Sequence, residues 1–320
     1  MITGLPVVPP IGASERVSDY FYRAFEDKFR GSRDLIKERL RVYLPFVTPL
    51  TASCPAVPVL DLGCGRGEWL ELMHELHIPA HGIDTDAGML AACRERGFSV
   101  SQGDAIAHLQ RQPDQSVLVV TGFHIAEHLP FAALQDLMAQ ACRVLVPGGL
   151  LILETPNPEN LLVGAAHFYL DPTHQRPLPW QLLTFLAEQQ GFGPVKLLRL
   201  QEEAQLASAG QLSLYDVLAK VSPDYAIIAQ MPAAAPPPAA LALALARDHG
   251  LSLHTLAARY DQQRQLAAVA QLQAIEAAHH TAQQALAAEI KAVYASQSWR
   301  ITRPLRWLMR RLRGGGPASL

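Results

Sequence analysis

The segment from Val59 to Leu70 constrains the fold more than any other part of the chain. Its residues are Val-Leu-Asp-Leu-Gly-Cys-Gly-Arg-Gly-Glu-Trp-Leu, so a short apolar run leads into three alternate glycines and then into a helical pattern. Glycine is needed where a backbone turns sharply and comes close to a ligand. Amide groups at the start of the following helix favour a negative group nearby. The segment therefore predicts a strand, a ligand-binding turn and a helix.

The pattern on both sides of this turn predicts an α/β domain. Strands are predicted at 57–62, 80–84, 98–102, 117–122 and 150–155, and helices near 68–76, 87–96, 105–111 and 131–144. This alternation is typical of a mostly parallel sheet with helices on both faces. A helix at 180–190 and strands at 195–200 and 225–230 follow, and we expect the last strand to be antiparallel. Residues 201–224 carry no clear pattern.

Residues 1–50 are predicted to form an N-terminal helical segment. Aromatic residues one turn apart indicate a helix over 15–30. Ser32 is a candidate N-cap for a second helix, Asp34–Leu44, which Pro45 is expected to end.

The α/β domain is assigned to residues 51–231, and the composition changes after it. Residues 232–240 (PAAAPPPAA) are typical of a stiff linker. Residues 241–296 are rich in Ala, Gln and Leu and predict one long helix. Apolar residues recur there every seven positions, but His279 and Glu276 interrupt the pattern. The pattern is compatible both with a coiled-coil homo-oligomer and with a single helix that lies on the α/β domain.

Residues 297–320 are a basic tail on an acidic body. The net charge of the chain is −2, yet the segment from Ser296 to Leu320 holds six Arg and no acid. Pro304 can start a helix with Leu305 and Leu308 on one face and arginines on another. Such a segment predicts contact with a membrane surface, with docking on the acidic body and RNA binding as alternatives. The acidic body argues against a general nucleic-acid binder, so no nucleic-acid partner is expected.

The remaining composition favours a cytoplasmic protein, peripheral at the inner face of the cell membrane if the tail binds there. The four cysteines are scattered and form no CxxC pair. The first residues lack the basic and apolar regions of a signal peptide. No apolar run approaches the length of a membrane span.

The spacing of the glycines limits the class of ligand that this turn can bind. Dinucleotide sites favour GxGxxG, whereas this chain has D-x-G-x-G-x-G with Asp61 two residues before the first glycine. A carboxylate there would repel a pyrophosphate and suits an ammonium group. Asp84, at the end of the second predicted strand, is placed to accept hydrogen bonds from a ribose diol. An NAD-dependent oxidoreductase remains an alternative.

Four motifs together resemble class I S-adenosylmethionine-dependent methyltransferases. They are Asp61–Gly67, Asp84, Gly103-Asp104-Ala105 and Pro147-Gly148-Gly149. The resemblance covers about 57–200 and implies a Rossmann-like sheet of seven strands, with the last antiparallel, and S-adenosyl-L-methionine as cofactor. It implies that the methionine end of the cofactor is lined by Gly63, Cys64, Gly65 and Gly67. It further implies that Asp61 orients the amino group, Asp84 the ribose, and Asp104 with Ala105 the adenine. Phe123 is assigned to the same pocket.

A narrower resemblance concerns the acceptor. The segments 29–33, 154–160 and 168–174 look like those of methyltransferases from bacterial surface-polysaccharide (O-antigen) gene clusters, some of which carry helical C-terminal extensions. Residues 298–307 look like a tail shared with associated glycosyltransferases. This resemblance implies a polysaccharide or lipid-linked glycan as substrate, with a hydroxyl or phosphate acceptor. A non-catalytic scaffold of a glycan-assembly complex is the alternative.

The candidate catalytic residues follow from the expected topology. Ligands of open α/β sheets bind outside the carboxyl ends of the strands. His124, His128 and His174 are the candidate bases, since histidine titrates near neutral pH. The candidate substrate ligands are Arg30, Arg33, Asn157 and Asp171, the two arginines being suited to a charged acceptor.

No metal site is predicted from the sequence. His124–His128 spells HxxEH, the signature of an inverted zinc protease. A zinc site of that type needs the pentad within one helix, whereas here it follows a predicted strand and precedes Pro130.

Overall fold

The computed structural model describes residues 31–208 and 210–312. Arg30 and the helix predicted over 15–30 lie outside these residues. The chain divides into two compact units, Met1–Ala257 and Ala258–Leu320. The first unit contains the sheet, and the second consists of helices.

Seven strands form one sheet in the order β3-β2-β1-β4-β5-β7-β6. They are β1 (Val59–Leu62), β2 (Ala80–Asp84), β3 (Val100–Gln102), β4 (Val117–Phe123), β5 (Leu145–Pro156), β6 (Val195–Leu200) and β7 (Asp224–Gln230). Strands β1 to β5 pair in parallel, and β7 pairs antiparallel with both β5 and β6. The predicted Rossmann-like sheet with an antiparallel last strand is confirmed.

The α-helices of the first unit connect these strands and cover both faces of the sheet. They are α1 (Arg33–Leu40), α2 (Leu44–Ser53), α3 (Glu68–Glu75), α4 (Ala87–Glu95), α5 (Ala105–Arg111), α6 (Phe131–Val144), α7 (Leu161–Ala165), α8 (Trp180–Gln189), α9 (Ala204–Ser208), α10 (Leu214–Ala219) and α11 (Ala239–Ala246). Short 3₁₀ turns lie at Arg41–Tyr43, Ala126–His128 and His167–Leu170.

A separate apolar core lies on each face of the sheet. In β5, Leu151 and Leu153 belong to one core, whereas Leu150 and Ile152 belong to the other. Successive strand residues point to opposite faces, so a strand covered on both sides needs a continuous apolar run. The run that predicted this strand therefore also explains its central position.

The N-terminal helices differ from the prediction at Pro45. Ser32 caps α1 as expected, since its hydroxyl accepts a hydrogen bond from the Leu35 amide at 3.3 Å. Pro45, however, lies in the first turn of α2 instead of ending a helix. Proline fits there because the amides of a first turn have no helical partner.

Residues 201–224 contain two short helices, α9 and α10, that the sequence pattern did not reveal. Helix α10 starts with a capping box in which Ser213 and Asp216 each hydrogen-bond to the other's backbone amide. The spacing Ser-x-x-Asp was the signal that could have located it.

The helix predicted over 241–295 is interrupted. Helix α11 ends at Ala246, and α12 (Leu253–Ala295) begins after a turn that contains Gly250. Gly250 has a φ of +72°, and a Cβ there would lie 2.2 Å from the carbonyl oxygen of Arg199. The turn therefore requires glycine. Leu241 anchors α11 in the same core as Phe46.

The second unit contains most of α12, then α13 (Gln297–Ile301) and α14 (Arg303–Leu312). Its large apolar side chains are exposed, among them Leu272, Leu286, Leu305 and Leu312. Among the described helices, none combines the length and apolarity needed to cross a membrane.

Candidate functional site

The turn after β1 depends on its three glycines. Gly63, Gly65 and Gly67 have φ values of +67°, +49° and +79°. A Cβ on Gly67 would lie 2.8 Å from the Cys93 sulfur. The amides of Gly63 and Cys64 donate to the Ile83 carbonyl at 2.8 and 3.0 Å, which ties the turn to β2. Side chains are excluded where the backbone would approach a ligand.

Two carboxylates predicted to bind cofactor flank this turn. Asp61 is buried, and its Oδ1 accepts a hydrogen bond from the Thr121 hydroxyl at 2.7 Å. Asp84 Oδ2 accepts from the Gly65 amide at 2.8 Å, and its Oδ1 accepts from the Asp86 amide at 2.8 Å. A carboxylate has about four lone-pair sites, so these bonds leave Asp84 able to accept more.

A cavity of about 510 Å³ opens beside the turn, a volume within the usual range of small-molecule sites. One part of its wall comes from Asp61, Gly63, Cys64, Glu68, Trp69 and Phe123. Another part comes from His124, His128, Glu154, Asp171, His174 and Asp224. The cavity therefore joins the glycine turn to all three predicted catalytic histidines.

The first part of the wall fits a nucleoside cofactor with a charged amino-acid end. Trp69 is buried, and its indole Nε1 has no hydrogen-bond partner among the described residues. A buried donor without a partner is costly, so an acceptor on a bound ligand would satisfy it. Phe123 is buried against Tyr43 and Trp69, with ring centroids 5.1 and 5.5 Å away.

Asp104 and Ala105 lie at the start of α5 and are not among the residues that line this cavity. The Asp104 carboxylate caps the helix by accepting from the Ala107 amide at 2.8 Å. Their assignment to the adenine stays a prediction, as does that of Asp84 to the ribose.

His124 is held among acids. It follows β4 with a φ of +58°, unusual for a residue with a side chain. Its Nδ1 lies 3.1 Å from Glu127 Oε1, and its Nε2 lies 3.4 Å from Glu154 Oε1. Burial alone lowers the pKa of His124, but hydrogen bonds to these two carboxylates outweigh it and hold the pKa well above its usual value. An imidazolium cannot accept a proton, which argues against His124 as the base.

His128 and His174 are each held by a hydrogen bond at Nδ1. The Thr173 hydroxyl donates to Asp171 Oδ1 at 2.6 Å, so it accepts from His128 Nδ1 at 2.8 Å. His174 Nδ1 lies 2.7 Å from the Phe168 carbonyl oxygen, which can only accept. Both rings therefore carry a proton on Nδ1, which fixes their orientation. Burial lowers the pKa of His128, in keeping with a neutral ring.

Glu127, Glu154 and Asp224 are site residues that the sequence analysis missed. Glu127 Oε2 accepts from the Thr155 hydroxyl at 2.9 Å. Burial raises the pKa of Glu127, but the hydrogen bond from His124 and the positive charge of its ring together outweigh burial and lower the pKa to about 2. Burial raises the pKa of Asp224 to about 7. Glu127 and Glu154 stand inside motifs already singled out, HxxEH and Glu-Thr-Pro, which was the available signal.

Of the predicted substrate ligands, Arg33 and Asn157 have structural roles. The Arg33 guanidinium donates to the Arg66 carbonyl and pairs with Glu71 at 2.6 Å, so α1 is fastened to α3. Asn157 is buried, and its amide donates to the Ser222 carbonyl at 2.8 Å. Neither lines the cavity, and their polar groups are used internally, which argues against both as substrate ligands.

Asp171 lines the cavity and orients His128 through Thr173. The fourth candidate, Arg30, lies outside the described residues.

Asn160 connects the start of α7 to the end of α10 and the residues after it. Its Oδ1 caps α7 by accepting from two amides, and its Nδ2 donates to the carbonyls of Ala219 and Val221 at 3.0 and 2.8 Å. Asn160→Ala leaves those buried groups unpaired and is expected to cost about 2–4 kcal/mol of unfolding free energy. Ser213→Ala, which removes an exposed cap, should cost only about 1 kcal/mol. Urea unfolding of both variants measures the difference, and equal costs would contradict this role of Asn160.

Comparison with known proteins agrees with this geometry. The family described as "Methyltransferase domain" matches residues 59–149. A probable S-adenosylmethionine-dependent methyltransferase of Mycolicibacterium smegmatis is 34% identical over 145 residues, which are 45% of this chain and 54% of that protein. A trans-aconitate 2-methyltransferase of Sinorhizobium fredii is 32% identical over 151 residues, 44% of this chain and 52% of that protein. The chain thus spans about half the length of these curated relatives.

One solved structure is similar to this chain over nearly its whole length. The crystal structure of a SAM-dependent methyltransferase from Archaeoglobus fulgidus is 34% identical, with a TM-score of 0.59. The match covers 66% of this chain and 99% of that protein. Sequence, fold and the glycine turn agree, and the chain belongs to the S-adenosylmethionine-dependent methyltransferases.

Proposed function

We propose that this protein transfers a methyl group from S-adenosylmethionine to a hydroxyl of a polysaccharide or lipid-linked glycan. The observation that carries the proposal is the single cavity in which the glycine turn after β1 meets His128 and His174. A methyltransferase needs donor and acceptor sites side by side, because the reaction is an in-line displacement between two bound molecules.

The residues around the turn would hold the cofactor, which supplies a methyl group already activated on a sulfonium. Asp61 would pair with its amino group, and the backbone of Gly63–Gly67 would contact its methionine end. Among the described residues, five carboxyl groups line the cavity, from Asp61, Glu68, Glu154, Asp171 and Asp224, against two cationic groups, the Arg39 guanidinium and the His124 imidazolium. Such a wall favours a ligand with positive charges.

The same charges favour an uncharged acceptor. Phosphate and hydroxyl were both open from the sequence, but a phosphate or a small carboxylic acid would be repelled by these carboxylates. A hydroxyl must lose its proton as the new O–CH₃ bond forms, while the electron pair of the broken S–CH₃ bond stays on sulfur. His128 and His174 line the cavity and are held in place through Nδ1, so they are the groups available to assist that loss.

The glycan is proposed from the resemblance of segments 154–160 and 168–174 to those of surface-polysaccharide methyltransferases. Mass spectrometry of surface glycans from cells with and without the protein tests it. Loss of a mass increment of one CH₂ group is expected. Purified protein that binds S-adenosylhomocysteine but transfers no labelled methyl to a glycan extract would favour the scaffold instead.

We further propose that the C-terminal segment brings the enzyme to an anionic membrane surface, where lipid-linked glycans lie. Helix α14 exposes Leu305, Leu308 and Leu312. The Arg306 guanidinium lies 3.7 Å from the centre of the Trp299 ring, and Arg311 lies 4.2 Å from that of Trp307. Arginines beside apolar and aromatic side chains are typical of helices that lie at an interface.

Removing two of the tail's arginines is expected to weaken vesicle binding. Each arginine near an anionic surface contributes about 1 kcal/mol, so R303Q/R310Q should lower partitioning about 30-fold at low salt. Sedimentation of the full chain with vesicles rich in phosphatidylserine measures this. The variant R264Q/K291Q, with the same loss of charge on exposed positions of α12, is the matched control. Equal binding by both variants would contradict the proposal.

For residues 241–296 we propose a homo-oligomer. Val269, Leu272, Leu286 and Val293 are exposed on α12 and would be buried by a second copy. Sedimentation equilibrium of the full chain measures the mass of the particle, and a monomer at all concentrations would contradict this proposal.

A further inference from the structure

We propose that Glu127, His128 and His174 bind a divalent transition-metal ion, which holds the acceptor hydroxyl as a further ligand. The role in methyl transfer rests on the function proposed above, whereas the binding of the ion does not. The sequence pattern HxxEH predicted no metal, because its two histidines do not lie on one helix. In the fold, His174 from a distant loop takes the place of the first histidine.

The three side chains converge on one point. One potential ligand atom of each lies within 4.8 Å of those of the other two. Glu127 Oε1 and His174 Nε2 are 4.0 Å apart. Two metal–ligand bonds of about 2.1 Å span up to about 4.2 Å, so one ion can bridge this pair after small side-chain movements.

His128 and His174 make the hydrogen bonds that metal-binding histidines usually make. A ligating histidine usually donates its other N–H to a carboxylate, hydroxyl or backbone carbonyl, which fixes the ring and directs its lone pair to the ion. His174 Nδ1 has the Phe168 carbonyl at 2.7 Å, and His128 Nδ1 has the Thr173 hydroxyl at 2.8 Å. Thr173 is in turn held by Asp171. Since Nδ1 of each ring is used in these hydrogen bonds, coordination would use Nε2 of His128 and of His174.

Glu127 is oriented in the same way. Its side chain has no exposed surface, and its Oε2 accepts from the Thr155 hydroxyl at 2.9 Å. Oε1 is 3.1 Å from His124 Nδ1 and keeps a further lone pair. Glu127 is therefore held rigidly beside the two imidazoles, with an oxygen that can take a cation as a further partner.

A neighbouring group of similar composition offers no histidine lone pair to an ion. His124, Glu154 and Asp224 also bring potential ligand atoms within 4.8 Å of one another. Both ring nitrogens of His124, however, face carboxylates, at 3.1 and 3.4 Å. Each nitrogen of His124 therefore carries a proton, and neither offers a lone pair to an ion. The positive charge of His124 already compensates the carboxylates of this group.

The ligand set indicates the kind of ion. Two imidazoles and one carboxylate suit Zn²⁺, Mn²⁺ or Fe²⁺, whereas Mg²⁺ and Ca²⁺ favour ligand sets of oxygen alone. Three protein ligands leave coordination positions open, as in catalytic sites. His128 and His174 line the cavity, so the open positions are on the acceptor side.

The ion would act as a Lewis acid on the acceptor oxygen. Coordination lowers the pKa of the hydroxyl, whose proton passes to the Asp171 carboxylate. Asp171 Oδ2 lies 3.8 Å from His174 Nε2 and is therefore near that oxygen. A lone pair of the oxygen forms the bond to the methyl carbon, and the electron pair of the S–C bond remains on the sulfur.

The test is Mn²⁺ binding to the full chain, measured by electron paramagnetic resonance and repeated with Zn²⁺ by equilibrium dialysis. One ion per chain is expected, with loss of binding in E127Q and H174A. T173V keeps all three ligands but removes the partner of His128 Nδ1, and should weaken binding about 10- to 100-fold. H279A, at an exposed position of α12, should bind as the wild type does.

Two other measurements separate this proposal from the proposed function. Methyl transfer at full rate by protein freed of metal with EDTA would overturn the role of the ion in the reaction and leave the methyltransferase function intact. Binding of one ion without methyl transfer to glycan would overturn the proposed function and leave the metal site intact. Equal Mn²⁺ binding by wild type and folded E127Q, with folding checked by thermal melting, would also overturn it.

Discussion

Asp61→Asn is expected to lower the affinity for S-adenosylhomocysteine about 10- to 150-fold, because a hydrogen bond to a charged group contributes about 1.5–3 kcal/mol. Asp61 is buried in the cavity wall next to Gly63, where solvent screens its charge little. The asparagine Oδ1 can still accept from the Thr121 hydroxyl, so the change removes the charge and leaves the local structure. Isothermal titration calorimetry measures the affinity.

The matched control for this variant is Asp261→Asn on α12, an exposed acid replaced in the same way. Its affinity for S-adenosylhomocysteine should equal that of the wild type. If the Asp61 variant binds as tightly as the control, the amino group of the cofactor is not held by this carboxylate, and the predicted orientation of the ligand is wrong.

The second large effect is expected on turnover and not on cofactor binding. His174→Ala should reduce transfer of labelled methyl to a glycan extract about 10²- to 10⁴-fold, the usual contribution of a group that assists proton loss. His174 lies on the acceptor side of the cavity, so binding of S-adenosylhomocysteine should be unchanged. His279→Ala controls for loss of a histidine. Near-normal turnover by a folded His174 variant would show that His174 does not take part in the reaction.

Much of the fold was predictable because each strand of the sheet carries its own local signal. The runs at 117–122 and 150–155 are apolar on both faces, and the structure buries them from both sides. The break at Gly250 was not predictable, since it arises from the approach of the Arg199 backbone, which is distant in sequence. Likewise, nothing local distinguishes Pro45 at the start of a helix from a proline that ends one.

The candidate site was predictable only in part. Alternate glycines have a local cause in backbone conformation, so the turn and Asp61 could be located from the sequence. The state of each histidine depends instead on groups far along the chain. Beside the local Glu127, the distant Glu154 holds the pKa of His124 above its usual value, and the Phe168 carbonyl fixes a proton of His174 on Nδ1. Such pairings follow from the tertiary structure, as do the contacts of Arg33 with the Arg66 carbonyl and Glu71.

The reversed direction of β7 determines where new specificity can arise. Because this strand runs against its neighbours, its first residue, Asp224, pairs with Pro156 at the end of β5 and so lies beside the cavity. The donor half of the pocket comes from β1 and the turn after it, whereas the acceptor half draws on the chain after β5. Insertions or exchanges between 156 and 224 would therefore change this half of the pocket, while the half formed by β1 and its turn stays as it is. One sheet can in this way serve many acceptors.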